Sequence, residues 1–176
     1  MLSKAALALL SLLYPFLWYY GRAQGWFPYL AALMACLWLA RGIMHRQRAQ
    51  KIISFLLAAF FCFSLTASLP QAMYWYPVLV NLLMLTTFAY SLWQPPSAIE
   101  RLARLQTPDL PAVAIRYTYR LTQIWCLFFI VNGSIAALLA LLRHYQAWAL
   151  YTGLISYLLM GILLGGEWLY RRKAIT

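Results

Sequence analysis

The chain has 176 residues, of which 65% are hydrophobic and only 10% are charged, and its formal net charge is +11. Because a soluble domain carries roughly 25% charged residues, this composition excludes a domain whose whole surface meets water. It also argues against a nucleic-acid partner, since the basic residues stand in short breaks between apolar runs and form no basic face. We therefore expect an all-α protein that is embedded in a lipid bilayer.

Apolar runs recur along the whole chain. They cover residues 5–21, 25–40, 52–69, 74–93, 121–142 and 148–170. A helix needs about 20 residues to cross a hydrocarbon core of about 30 Å, so we predict one integral membrane domain, residues 1–176, with six transmembrane helices. The first run contains Pro15, which can kink a helix, and five spans are the fallback. The second run is short, but Arg41 can extend it by snorkelling to the interface.

The positive charges are divided unevenly between the two sides of this topology. Of the 14 Lys and Arg residues, only Arg22 and Arg143 fall on one side, and the others share a side with both chain ends. By the positive-inside rule, we expect both termini and the two longer loops to be cytoplasmic. All eight Trp residues stand near a predicted span end, as expected of an aromatic belt at headgroup depth.

The second of these loops, QPPSAIERLARLQTPDLP at residues 94–111, predicts a helix of its own. Two prolines stop the preceding span, and Ser97 with Glu100 forms a capping box that starts a new helix. On a helical wheel one face is apolar and the other is charged. The apolar face holds Ile99, Leu102, Ala103 and Leu105, and the charged face holds Glu100, Arg101 and Arg104. We predict a short amphipathic helix, about 97–106, on the cytoplasmic membrane surface.

The basic residues of the two longer loops have two readings. They are Arg46, Arg48, Lys51, Arg101, Arg104, Arg116 and Arg120. They either anchor interfacial linkers and set the orientation, or form a docking face for anionic headgroups or a cytoplasmic partner. The sequence leaves both readings open.

Three segments of the chain resemble a known family. They read PPSAIERLARLQTPDLP (95–111), RYTYRLTQIWCLFFIVNGSIAALLALL (116–142) and GILLGGEWLYRRK (161–173). They are similar to a family of uncharacterised bacterial inner-membrane proteins, often encoded beside aryl-polyene or other fatty-acid-like biosynthetic genes. More distantly, the layout resembles the intracellular septation protein A family. The resemblance implies a place in the bacterial inner membrane and, as partners, acidic acyl-carrier proteins or biosynthetic enzymes, but no reaction and no catalytic residue.

A few polar and small residues stand inside the predicted spans. Asn81, Asn132 and Glu167 are candidates for interhelical polar contacts, and the two amides could instead line a polar path. Gly153, Gly161 and Gly165 recur on one helix face and predict close helix packing, within the chain or in a homodimer.

The inventory of reactive side chains is short. With three acidic residues and two histidines, the chain assembles no catalytic triad and no zinc or magnesium motif. His45 and His144 fall on opposite sides of the predicted membrane, and no metal or cofactor is expected. We expect a protein that is not an enzyme on its own: an accessory or scaffold protein for envelope or lipid-like biosynthesis. A small transporter or flippase that uses Asn81 and Asn132 is the alternative, and an enzyme dependent on a partner subunit is a third reading.

Overall fold

The described part of the chain consists of helices joined by short turns and loops. A computed structural model describes residues 13–175. Its helices are α1 (13–22), α2 (Phe27–Met44), α3 (Arg48–Thr66), α4 (Tyr76–Trp93), α5 (Ala98–Arg104), α6 (Ala112–Leu141), α7 (Tyr145–Leu150) and α8 (Ser156–Ile175). A 3-10 turn, Pro70–Trp75, leads into α4, and a π-helical turn, Tyr151–Ile155, joins α7 to α8. No strand occurs among residues 13–175, and the predicted all-α class is confirmed.

Among residues 13–175, four helical stretches are long and apolar enough to cross a membrane. They are Phe27–Met44, Pro70–Trp93, Ala112–Leu141 and Tyr145–Glu167. The apolar part of α3, Gln50–Thr66, is shorter. The first predicted span, 5–21, lies partly outside the described residues, which begin at residue 13 and give its second half as α1. The fold is therefore that of a helical membrane protein with four such stretches, and the count of six spans stays a prediction.

The chain divides into two compact units, and the first contains residues up to 74 and again from 139. Its α2 and α3 pack against each other, and both bury small and apolar side chains about one helical turn apart. On α2 these are Ala31, Met34 and Ala35, and on α3 they are Leu57, Ala58 and Phe61, all buried. Tyr14 of α1 meets the ring of Phe61 edge-on at 6.3 Å. Because the buried positions recur every three to four residues, each helix presents one packed face and leaves the other for lipid.

The second unit, residues 75–138, is built on α4, α5 and α6. The buried side of α6 follows a helical period, through Thr118, Leu121, Thr122, Trp125, Phe129, Asn132, Gly133 and Ala136. Phe88 of α4 lies edge-on to Phe129 at 5.2 Å. On the opposite side, Leu127, Ile130 and Leu138 are exposed, as an apolar solvent requires.

Three helices, α1, α3 and α6, end in the same tight turn, and each of these turns lies in the first unit. A residue with a left-handed backbone follows each helix, and the next amide donates to a carbonyl five residues back, which is the Schellman motif. The left-handed residues are Gly25 (φ 73°), Ser68 (φ 51°) and Arg143 (φ 58°). The amide-to-carbonyl bonds are Trp26 to Gly21 at 3.0 Å, Leu69 to Ser64 at 2.9 Å and His144 to Leu139 at 3.1 Å. Glycine usually takes this position because it has no Cβ, so Ser68 and Arg143 hold it at some cost.

Candidate functional site

An aromatic cluster in the first unit surrounds Tyr74, whose side chain is 2% exposed. The ring of Tyr145 stacks on it, with centroids 4.3 Å apart and planes 19° apart. Trp148 meets Tyr74 edge-on at 4.9 Å, and its Nε1 donates to the Tyr74 carbonyl at 3.1 Å. Trp18 adds a further edge contact at 5.8 Å. The cluster therefore joins α1, the 3-10 turn and α7 over long separations in sequence.

Arg22 lies against the open side of this cluster. Its Cζ stands 4.5 Å from the centre of the Tyr145 ring, which is cation–π geometry. Its Nη1 donates to the Tyr74 hydroxyl at 3.5 Å. These contacts hold the guanidinium in place and use only Nη1 of its three nitrogens as a donor.

Beside Arg22 there is an open cavity of about 640 Å³. Its polar lining comes from Tyr19, Arg22, Arg143, His144, Tyr145 and Gln146, and its apolar lining from Ala147 and Leu150. No carboxylate is among these described lining residues. The cavity thus combines two cations, a histidine and an aromatic shelf in a site without compensating negative charge.

Sequence reasoning did not find this cavity. It used Arg22 and Arg143 only to count charge, and it treated His144 as an isolated residue. The available signal was that both arginines follow apolar runs on the same predicted side of the membrane. That signal does not give the distance between the two arginines, because 120 residues of chain separate them.

In the second unit, the loop that was predicted to form a helix does so as α5. The Ser97 side chain caps it by accepting from the Glu100 amide at 3.4 Å. Two further hydroxyls serve the other first-turn amides: Ser91 Oγ accepts from Ala98 at 2.8 Å, and Thr122 Oγ1 accepts from Ile99 at 3.3 Å. Since these hydroxyls belong to α4 and α6, α5 is fastened to both helices.

The predicted division of α5 into an apolar face and a charged face needs a correction at Glu100. Its side chain is 7% exposed, whereas Leu102 and Leu105 are exposed. Arg104 compensates the buried carboxylate, with Nε at 2.9 Å and Nη2 at 2.8 Å from the same Oε1. The hydroxyl contacts of the first turn direct Glu100 inward, and the helical wheel could not show this.

Two of the seven predicted docking residues are engaged within the loop itself. Arg101 donates from Nε to the Pro96 carbonyl at 2.7 Å and from Nη2 to the Gln94 carbonyl at 3.2 Å. Arg104 bonds Glu100 and also donates to the Pro108 carbonyl at 2.9 Å. Both side chains therefore hold the turns around α5.

The other five predicted docking residues are exposed. They are Arg46, Arg48 and Lys51 around the turn between α2 and α3, and Arg116 and Arg120 on α6. Within the described part of the chain, no hydrogen bond or ion pair engages their side chains. Their charge is available to an external partner.

The two intramembrane amides bond each other. Asn132 Nδ2 donates to Asn81 Oδ1 at 3.0 Å, and Asn81 Nδ2 donates to the Pro77 carbonyl at 2.8 Å. Asn132 Oδ1 is buried without a partner among the described residues. Gly133 stands beside this pair, and a Cβ on it would lie 3.0 Å from Asn81 Cβ. The amides thus join α4 to α6 at a close approach that the sequence reading missed, although Gly133 adjoins Asn132.

The predicted glycine face of the last span is divided in the structure. A Cβ on Gly153 would lie 2.5 Å from the Phe16 ring, whereas a Cβ on Gly161 or Gly165 would meet nothing within 4 Å. Gly153 therefore packs within the chain, and the other two glycines are open. Glu167 lies on the same helix, within α8, and is half-buried.

The histidines and the acidic residues do not assemble a metal centre in residues 13–175. His45 follows α2 directly as its C-terminal cap residue, and His144 lines the cavity. Comparison of the chain with models of protein families, with curated proteins and with solved structures found no match.

Proposed function

We propose that the chain is a multi-pass accessory or scaffold protein of the bacterial inner membrane, without an enzymatic activity of its own. In this proposal it has six spans, both termini are cytoplasmic, and its basic cytoplasmic loops recruit a partner for envelope or lipid-like biosynthesis. The partner that the family resemblance implies is an acidic acyl-carrier protein or an enzyme loaded with one.

The observation that carries this proposal is the basic end of α6, which consists of Arg116 and Arg120. α6 has 30 residues and so extends about 45 Å, against about 30 Å for a hydrocarbon core. Its first turns therefore project beyond the apolar stretch. The two arginines are one helical turn apart and exposed, on the side of α6 away from its buried face.

The amide pair supports packing rather than a transport path. Asn81 and Asn132 each donate one hydrogen bond to a group inside the second unit. The bond from Asn132 to Asn81 is interhelical, and such bonds contribute about 0.6 kcal/mol on average. A carrier would need these groups to face a substrate. A scaffold requires only the packing contact that the two amides already make.

The test is binding of an acidic acyl-carrier protein to the full chain in nanodiscs of neutral lipid, across a salt series. We expect Arg116→Gln with Arg120→Gln to weaken binding about tenfold at low salt, since rim charges act mainly through electrostatic steering that salt screens. Arg101 and Arg104 stay unchanged, because they hold the loop around α5.

The matched control is Arg116→Lys with Arg120→Lys, which keeps both charges and should keep most of the binding. Carrier protein that does not bind, or that binds equally to the Gln variant at every salt concentration, would contradict the recruitment proposal.

A further inference from the structure

We infer that the cavity beside Arg22 is a binding site for the phosphate of an anionic lipid headgroup. The inference goes beyond the proposed recruitment function, because it uses none of the residues of the basic end of α6. The observation behind it is a juxtaposition: the only two basic residues that the charge count separated from all the others line one cavity.

The charge of the cavity selects an anion. Arg22 and Arg143 contribute two guanidinium groups, His144 stands with them, and no carboxylate is among the described residues of the lining. A guanidinium is a planar fork of N–H donors that matches phosphate oxygens, and such charge-assisted bonds are about twice as strong as neutral ones. Tyr19 and Gln146 supply neutral groups that can bond ester or glycerol oxygens.

The first cation is fixed before any ligand arrives. The Tyr145 ring lies under Arg22 at 4.5 Å, and Tyr74, which stacks on Tyr145, accepts from Arg22 Nη1 at 3.5 Å. A side chain that is already held loses less freedom on binding. The aromatic cluster therefore serves to position Arg22 at the cavity wall.

The second cation, Arg143, occupies a backbone position that favours glycine. Arg143 has φ 58° at the end of α6, in the position that glycine usually takes in this motif. Such outliers occur preferentially at functional sites. The turn aims Arg143 and His144 at the cavity, and a glycine there would make the same turn without the charge.

The position of the cavity, at the end of a long apolar helical stretch, identifies a lipid as the source of the phosphate. Its apolar lining, Ala147 and Leu150, belongs to Tyr145–Glu167, a stretch long and apolar enough to cross a membrane. Leu150 is 49% exposed. The polar lining is therefore at the end of a membrane-spanning stretch, where headgroups lie, and acyl chains would continue along Leu150. A volume of about 640 Å³ is within the range of small-ligand sites, about 300 to 1,000 Å³.

The experiment is a titration of the full chain, purified in neutral detergent, with phosphatidylglycerol and with phosphatidylcholine, with bound lipid counted by native mass spectrometry. We expect preferential binding of phosphatidylglycerol, and a loss of about tenfold or more in its affinity when Arg22→Gln and Arg143→Gln are combined, because two charge-assisted bonds disappear. Arg143→Gly alone should weaken binding while the fold is retained, since glycine suits that backbone. This variant separates lost binding from lost folding.

The matched control is Arg46→Gln with Arg48→Gln, which removes the same charge beyond the opposite end of α2, a helix of 18 residues and so about 27 Å long. Equal loss of phosphatidylglycerol in the control pair would overturn the site, because general attraction would then explain binding. Unchanged binding in Arg143→Gly would overturn it as well. Displacement of the lipid by millimolar inorganic phosphate would overturn the assignment to a lipid headgroup.

Discussion

At the scale of single residues, Gly133 allows a close approach of α4 to α6 in the second unit. A Cβ on Gly133 would lie only 3.0 Å from the Cβ of Asn81, and Asn81 is itself held by bonds to Pro77 and Asn132. A Cβ atom moves only with its backbone, so α4 cannot yield locally. By contrast, the open glycines of α8 have room for a methyl group on every side.

We expect Gly133→Ala to destabilise the protein by about 1–3 kcal/mol, the usual cost of overpacking, despite the better helix propensity of alanine. Gly161→Ala is the matched control and should be neutral or slightly stabilising, because alanine exceeds glycine in helix propensity by about 1 kcal/mol. The measurement is the free energy of unfolding in mixed micelles. Equal stability of the two variants would show that α4 and α6 do not meet at Gly133.

At the scale of elements, α5 illustrates how a seven-residue helix is held. Its first three amide N–H groups, which have no partner within the helix, each find a hydroxyl: Ser91 of α4, Thr122 of α6 and Ser97 at the cap. The buried Glu100–Arg104 pair then closes the second turn. α5 is therefore an anchored part of the second unit, while Leu102 and Leu105 remain exposed.

We expect Thr122→Val to loosen α5, because it keeps the shape of the side chain and removes the acceptor for the Ile99 amide. A buried donor without a partner costs about 1–3 kcal/mol, so hydrogen exchange of the Ala98–Glu100 amides should accelerate by about tenfold. Thr87→Val is the control, since the Thr87 hydroxyl bonds only the Leu83 carbonyl of its own helix. Unchanged exchange in Thr122→Val would mean that α5 does not depend on α6.

At the scale of the whole molecule, the number of times that the chain crosses the membrane is a prediction that cysteine labelling tests. The apolar part of α3 is shorter than the other candidates, and the predicted topology requires α3 to cross the membrane all the same. Exposed glutamines stand in the turns at each end of α3, Gln47 before it and Gln71 after it. These positions suit single-cysteine labelling.

We expect single cysteines at Gln24 and Gln71 to react with a membrane-impermeant maleimide in intact cells, and those at Gln47 and Gln106 to react only after permeabilisation. The native cysteines, Cys36, Cys62 and Cys126, would first be replaced by alanine. The prediction follows from the charge distribution under the positive-inside rule. Labelling of Gln47 and Gln71 from the same side would show that α3 does not span.

The sequence by itself determined the features that arise within one helical turn or from composition. Low charge and long apolar runs identified a helical membrane protein, since lipid must then be the solvent. The capping box placed α5 at Ser97, and the spacing of Glu100 and Arg104 gave their ion pair, because the partners are neighbours along the chain.

Only the tertiary structure decided which distant residues meet. Asn81 pairs with Asn132 across 51 residues, Trp148 bonds the Tyr74 carbonyl across 74, and Arg22 and Arg143 line one cavity. The burial of Glu100 belongs to the same group, since hydroxyls of α4 and α6 orient the first turn of α5. The physical reason is that lipid-facing and protein-facing positions of a membrane helix are equally apolar. Hydrophobic pattern therefore does not show which face packs, and packing alone brings these side chains together.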